Sequence, residues 1–284
     1  MNVNKGDVAI VTGASRGLGV FIARALAERG MRLVLAARSQ QLLTALADDL
    51  QSLGVEVLTV ATDVADTDAL PKLVDLAMQR FGRIDVLVNN AGFANTLPYD
   101  HVEITDIQQM IAVNLTAPML LTRLVMPHML TAGRGYIVNI ASLAGVLPTP
   151  YEELYTATKH GLVGFTRSLR ASAADKGWPI GASVICPGFM DDAGIYEDFK
   201  TKYGVTAPAA LGSVSAGRLG QEIIRAIENN LPDVFVTKGP VRISSALLAL
   251  APRLFESLTA RMKMAGLFRQ IANAHVEERR AGKT

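Results

Sequence analysis

The amino-acid sequence predicts an α/β fold: a doubly wound parallel sheet with a helical C-terminal extension. Three observations carry that expectation. Short β-rich apolar runs alternate with longer helical patterns along most of the chain. The runs 8–12, 84–89 and 181–186 are apolar at most positions, as strands are when helices cover both faces of a parallel sheet. The style of the chain then changes after Pro240, where strand signals stop and basic, leucine-rich segments begin.

The strand candidates are Asp7–Val11, Arg32–Ala36, Glu56–Ala61, Val86–Asn89, Tyr136–Ile140, Gly181–Cys186 and Asp233–Thr237. Helical patterns fill about 17–29, 39–53, 67–81, 103–131, 151–176 and 213–229. Alternation with short loops gives right-handed crossovers and helices on both faces of the sheet. Residues 1–240 therefore read as one Rossmann-type nucleotide-binding and catalytic domain, and 241–284 as an amphipathic helical extension. The 284 residues are half apolar and 19% charged, which is ample for a buried core. A formal charge of +2 gives no footprint for nucleic acid. Cys186 is the one cysteine, and His101, His128, His160 and His275 are scattered. Neither a disulfide nor a metal site is expected. No basic-then-apolar leader opens the chain, and no run approaches about 18 uninterrupted apolar residues, so a cytoplasmic setting without a spanning helix is expected.

The first strand runs into Thr12-Gly13-Ala14-Ser15-Arg16-Gly17-Leu18-Gly19. Gly13 permits a tight turn, Gly17 lets backbone approach a pyrophosphate at the helix N-terminus, and Gly19 lets helix and strand pack closely. A glycine turn needed for geometry alone is the other reading. The second strand ends Leu35-Ala36-Ala37-Arg38 without the acid that would hold a ribose 2′-hydroxyl. Arg38 and Arg16 instead supply planar cations suited to a 2′-phosphate, which favours NADP(H) over NAD(H), unless both are solvated surface charges. Asp63-Val64 after the third strand can meet the adenine, although Asp63, Asp66 or Thr67 can equally cap the next helix. Asn89-Asn90-Ala91-Gly92 closes the fourth strand with small residues and bridging amides.

Tyr155 and Lys159 are four apart in a helical pattern and so share one face. An ammonium stabilises phenolate, which makes the pair a proton donor in reduction and a base in oxidation. Ser142 follows the fifth strand and can donate to a developing oxyanion. Asn114 sits in a helix that its propensity does not favour. Taken singly, these are also a chance spacing, a turn cap and a satisfied core amide.

As an ordered set they closely resemble the short-chain dehydrogenase/reductase family, in the branch with a TGxxxGxG loop and a YxxxK motif. The landmarks Thr12–Gly19, Asn89–Gly92, Asn114, Ser142, Tyr155, Lys159 and Pro187-Gly188 occur in that order over roughly residues 5–237. The resemblance implies that Tyr155 is the acid–base and that Lys159 tunes it and binds the nicotinamide ribose. It implies that Ser142 orients the carbonyl, Asn114 holds a water against Lys159, and Pro187-Gly188 lies beside the carboxamide. Many relatives place a threonine after that glycine. Here Phe189-Met190-Asp191-Asp192 follows, so backbone groups would replace the contact. The implied activity is NADP(H)-dependent interconversion of a ketone or aldehyde and an alcohol. An epimerase or dehydratase on the same fold, and a non-catalytic dinucleotide sensor, are the alternatives. The long apolar helices 103–131 and 151–176 imply a homodimer or homotetramer, as such helices pair between subunits in the family.

Leu143–Tyr151, Phe93–Leu97 and Phe189–Tyr203 are the substrate-side segments and are mostly apolar. Phe189, Tyr196, Phe199 and Tyr203 form a mobile lid or staple a small helix. Glu152 and Glu153 are expected to be solvated first-turn residues, favoured there by the helix dipole. The extension carries eight basic and three acidic residues, with Leu247, Leu250, Leu254, Leu258 and Met262 at helical spacing. It packs on the catalytic domain or a partner subunit, attaches peripherally to an anionic membrane, or covers the substrate mouth.

Overall fold

A computed structural model describes residues 1–208, 211–261 and 265–282; Met262, Lys263 and Lys283 of the basic extension lie outside them. In chain order, β1 (Val8–Thr12), α1 (Leu18–Glu28), β2 (Arg32–Ala37), α2 (Gln40–Ser52), β3 (Val57–Ala61), α3 (Ala69–Phe81) and β4 (Val86–Asn89) form the first half. α4 (Ile104–Ile111), a π-helical turn at Ala112–Thr116 and α5 (Ala117–Thr131) lead into β5 (Gly135–Ile140). α6 (Glu153–Lys176), β6 (Ile180–Pro187), β7 (Phe189–Met190), α7 (Ile195–Tyr203), β8 (Ser213–Val214), α8 (Ala216–Glu228) and β9 (Asp233–Val236) follow. The extension is α9 (Val241–Leu250), α10 (Pro252–Arg261) and α11 (Ala265–Arg280).

Seven strands pair in parallel in the order β3-β2-β1-β4-β5-β6-β9. The chain builds outward from β1 to β3, then returns to β4 on the other side of β1. The crevice at the carboxyl ends of β1 and β4 is therefore the topological switch point, where doubly wound sheets bind ligands. One face of the sheet is covered by α1, α2 and α8 through Ile22, Leu26, Leu43, Leu50, Ile223 and Ile227. The other is covered by α3 and α5 through Leu73, Val74, Leu121 and Val125. Burial on both faces explains why β1, β2, β4 and β5 read as apolar runs rather than as alternating ones.

The seven expected strands and six expected helices are all present, with ends within about three residues, the usual uncertainty of helix and strand boundaries. The expected single helix 103–131 differs. A π turn at Ala112–Thr116 interrupts it, and Asn114 sits in that turn. By length and composition alone the run Ile104–Thr131 could cross a membrane, as core helices also can, but Asp106, Gln108, Gln109, Asn114 and Arg123 interrupt its apolar residues. Here Leu121, Val125 and Met129 bury it against the sheet. The strand β7 and the helix α7 occupy the stretch read as lid or small helix, and β7 pairs with β8 beyond it. Asp192 accepts from Ser215 Oγ and Ala216 N, both at 2.7 Å, and so caps α8. In the extension, α11 turns back onto α7 and buries Ile271, Ala272 and Val276, while α9 and α10 leave Ile243, Leu250, Leu254 and Leu258 exposed.

Candidate active site

The expected catalytic residues Ser142, Tyr155 and Lys159 and the expected cofactor-binding residues other than Gly19 line one cleft of about 2110 Å³ at the switch point; Asn114 does not. Gly19 is buried beneath it. A Cβ on Gly19 would lie 2.1 Å from the Gly13 carbonyl, so glycine there is what lets α1 meet the loop. Gly13 has φ +64°, and a Cβ on it would come within 2.8 Å of Ala91 Cα. The loop from β1 and the end of β4 thus touch backbone to backbone. They are also tied by hydrogen bonds. Thr12 Oγ1 accepts from Asn90 N and Ala91 N, each at 3.0 Å, and Asn90 Nδ2 donates to the carbonyls of Thr12 and Gly13 at 3.0 and 3.2 Å. Asn90 thus bridges the two loops, with Thr12 as partner, whereas Asn89 is buried and donates to Asn139 Oδ1 at 2.8 Å on β5.

Arg16 and Arg38 are exposed on the cleft, one in the loop and one at the end of β2. Among the described residues, neither guanidinium is paired with a carboxylate. Asp63 lies on the same wall beside buried Val64. Its Oδ1 accepts from Ala65 N at 2.9 Å, which makes a local turn rather than a helix cap. Asp66 does the same for Asp68 N at 3.0 Å, and α3 begins only at Ala69. The helix-cap alternatives for Asp63, Asp66 and Thr67 are therefore not what the structure shows.

Tyr155, Thr158 and Lys159 are buried on one face of α6. Lys159 Nζ donates to the Ile140 carbonyl at 2.9 Å, at the end of β5, and lies 5.5 Å from the Tyr155 ring centre. Burial pushes the ammonium down to about 8, so it keeps its charge at neutral pH. Burial also holds the Tyr155 phenol well above its ordinary range; the Glu152 carboxylate adds to this, and the Ser142 hydroxyl pulls the other way. The free site therefore holds the protonated, acid form of the tyrosine. Ser142 starts a 3-10 turn at Leu143–Gly145, and its Oγ accepts from Ala144 N at 3.2 Å. Its expected role as a turn cap and its place at the phenol coexist.

Asn114 is fully buried and sits behind the cleft rather than on it. Its Oδ1 accepts from Phe93 N at 3.1 Å, and its Nδ2 donates to Phe93 O at 2.8 Å. A Cβ on Gly92 would come 3.2 Å from Asn114 Oδ1 and 3.3 Å from Lys159 Nζ. Asn114, Gly92 and Lys159 thus form one tight junction, and the π turn delivers the amide into it.

Glu152 is the residue that the sequence placed wrongly. It is not solvated; it is 6% exposed, and its Oε1 accepts from Thr96 Oγ1 at 2.7 Å. Burial lifts its carboxyl to about 7, against the Thr96 hydrogen bond and with repulsion from Glu153 adding to the rise. Glu153 is exposed, as expected. No sequence signal separates the two: the chain kinks at Tyr151, which has φ +65°, a conformation that a tyrosine does not announce. Cys186 is buried, and burial pushes its thiol up to about 12. Among the described residues, no cluster can hold a metal ion.

Fold and site together define a dinucleotide-dependent oxidoreductase architecture, and comparison with known proteins gives the family. Residues 7–203 match the family model described as short chain dehydrogenase, so the chain belongs to that family. It is 36% identical over 251 residues to the ketoacyl reductase HetN of Nostoc sp., covering 88% of this chain and 85% of that protein. A short-chain dehydrogenase/reductase from Burkholderia phymatum, solved in complex with NAD, superposes with a TM-score of 0.80 at 27% identity, covering 89% of this chain and 96% of that one. A variant of actinorhodin polyketide ketoreductase, solved with NADPH, does so with a TM-score of 0.74 at 28% identity, covering 81% and 95%. Similar structures thus carry either dinucleotide.

Proposed function

We propose that this chain is a carbonyl reductase or alcohol dehydrogenase that prefers NADP(H) and uses Tyr155 as its general acid–base. The observation that carries the proposal is the buried Tyr155–Lys159 face of α6, which opens on the same cleft as the glycine loop. The residues fit a dinucleotide. Gly13 and Gly19 let the loop pack closely against Ala91 and α1, and the N-terminus of α1 borders the cleft where a pyrophosphate would meet helix N–H groups. Exposed Arg16 and Arg38, with no acid at the end of β2, support a 2′-phosphate. Relatives bearing the name ketoacyl reductase support a keto group as the reacting centre.

When bound, the nicotinamide supplies or takes up the hydride. The chain handles the proton. In reduction, Tyr155 donates its phenolic proton to the carbonyl oxygen while the Ser142 hydroxyl donates a hydrogen bond to the same oxygen. The Lys159 ammonium, at about 8, remains charged at neutral pH and stabilises the phenolate left behind. Asn114 holds the backbone of Phe93 and so fixes the loop after β4, whose Gly92 borders Lys159. The apolar substrate side supports a hydrophobic ketone or secondary alcohol. A panel of such ketones, followed by loss of NADPH absorbance, tests the proposal. Stoichiometric loss of NADPH with alcohol formed is expected. Binding of NADPH with product formed but no cofactor consumed would point instead to an epimerase or dehydratase.

A further inference from the structure

The family match ends at residue 203, yet the cleft continues onto residues of the extension: Phe255 and Thr259 of α10, and Leu267 and Phe268 of α11. The Phe268 ring lies 6.5 Å from Phe189, which meets Tyr196 edge-on at 4.9 Å. Phe189 directly follows Pro187-Gly188. An aromatic wall therefore runs without a break from the end of β6 to the start of α11.

The helix is fastened where it lies. Arg279 Nη2 donates to both oxygens of Asp106, at 2.8 and 2.9 Å, and His275 Nδ1 is 2.8 Å from the Thr96 carbonyl. Arg269 Nε donates to the Tyr151 hydroxyl at 3.1 Å, and Lys202 Nζ pairs with Glu278 at 2.7 Å. The anchors of α11 are thus α4, Thr96 in the loop after β4, Tyr151 just ahead of α6, and α7. They surround the mouth of the cleft. Thr96 faces both ways, with its carbonyl toward α11 and its hydroxyl toward Glu152, three residues from Tyr155.

We propose that α11 is the roof of the substrate chamber, and that Leu267 and Phe268 select ketones whose apolar body extends well past the reacting carbonyl. The proposal rests on the carbonyl chemistry assigned above. A ketone too short to reach α11 gains nothing from these side chains. One long enough to reach them transfers apolar surface out of water with each added methylene. Leu267 and Phe268 are half-buried, whereas Ile271, Ala272 and Val276 hold the helix down. Truncating the first two therefore removes the contact and leaves the roof docked.

The test uses the full chain with NADPH and a series of straight methyl ketones from butanone to undecanone. In the unmodified enzyme kcat/KM rises about fourfold per methylene over the longer members. In the Leu267→Ala/Phe268→Ala variant the longest ketones lose about 10- to 100-fold and butanone is unchanged. Equal dependence on chain length in both proteins, or an equal loss at every length, overturns the proposal. Calorimetric affinities of the matching secondary alcohols, measured with NADPH bound so that no turnover occurs, separate the two levels of inference. Length-dependent binding that the variant loses, with no ketone reduced by either protein, sinks the carbonyl reading and keeps the roof. Binding that ignores both length and variant sinks the roof alone.

Discussion

Glu152→Gln should remove a pH dependence of stability that this one carboxyl builds into the fold. The unfolded chain releases the Glu152 proton near its ordinary value of 4.5, whereas the folded site holds it to about 7. A raised folded value means that the group's contribution is fully present below about 4.5. It is lost as pH rises through about 7, because the native state must then bury a charge. At about 1.4 kcal/mol per unit, that interval is worth about 3 kcal/mol. Glutamine does not titrate and still offers an oxygen to Thr96. The stability of Glu152→Gln minus that of the unmodified protein should therefore grow by about 3 kcal/mol between about pH 4.5 and pH 8. Lys159 does not blur the reading. Its folded value of about 8 lies below the ordinary 10.5, so stability linked to it rises only across that higher interval. Urea unfolding of both proteins at closely spaced pH values gives the difference directly. A difference that stays flat across this window would show that Glu152 is solvated after all.

Other outcomes follow from the same geometry. Arg38→Asp should shift the ratio of kcat/KM for NADPH over NADH by about 10- to 100-fold toward NADH, the worth of a charge-assisted pair to phosphate plus repulsion from the new acid; steady-state kinetics with both cofactors reads it. Gly13→Ala should destabilise the fold by about 2 kcal/mol in urea unfolding, since its left-handed φ and the backbone of Ala91 both exclude a Cβ. Gly92→Ala should leave the melting temperature nearly unchanged yet lower kcat, because the added methyl presses on Asn114 and Lys159 rather than on backbone.

Much of this was legible in the sequence, for identifiable reasons. Strands buried on both faces announce themselves as apolar runs, so β1 to β6 and β9 were placed almost to the residue. The glycine loop, the Asn90-Ala91-Gly92 segment and the Tyr155–Lys159 pair are local spacings, and one cleft gathers them. What sequence could not supply was non-local. The π turn at Asn114 has the same composition as an α-helix; only the amide's engagement with Phe93 gives it away. Glu152 and Glu153 are chemically alike, and the kink at Tyr151 decides which one is buried. The extension showed its helices by periodicity, but periodicity does not name a partner. The anchors Asp106, Thr96 and Tyr151 lie more than a hundred residues away from α11.

The most direct test of the central claim is a single-turnover measurement on Tyr155→Phe, with NADPH in saturating amount and the best ketone of the panel. The account predicts that hydride transfer slows by about 10²- to 10⁴-fold, the usual worth of a placed proton donor, while NADPH affinity by fluorescence stays within a few fold. A variant that transfers hydride at the unmodified rate would contradict it.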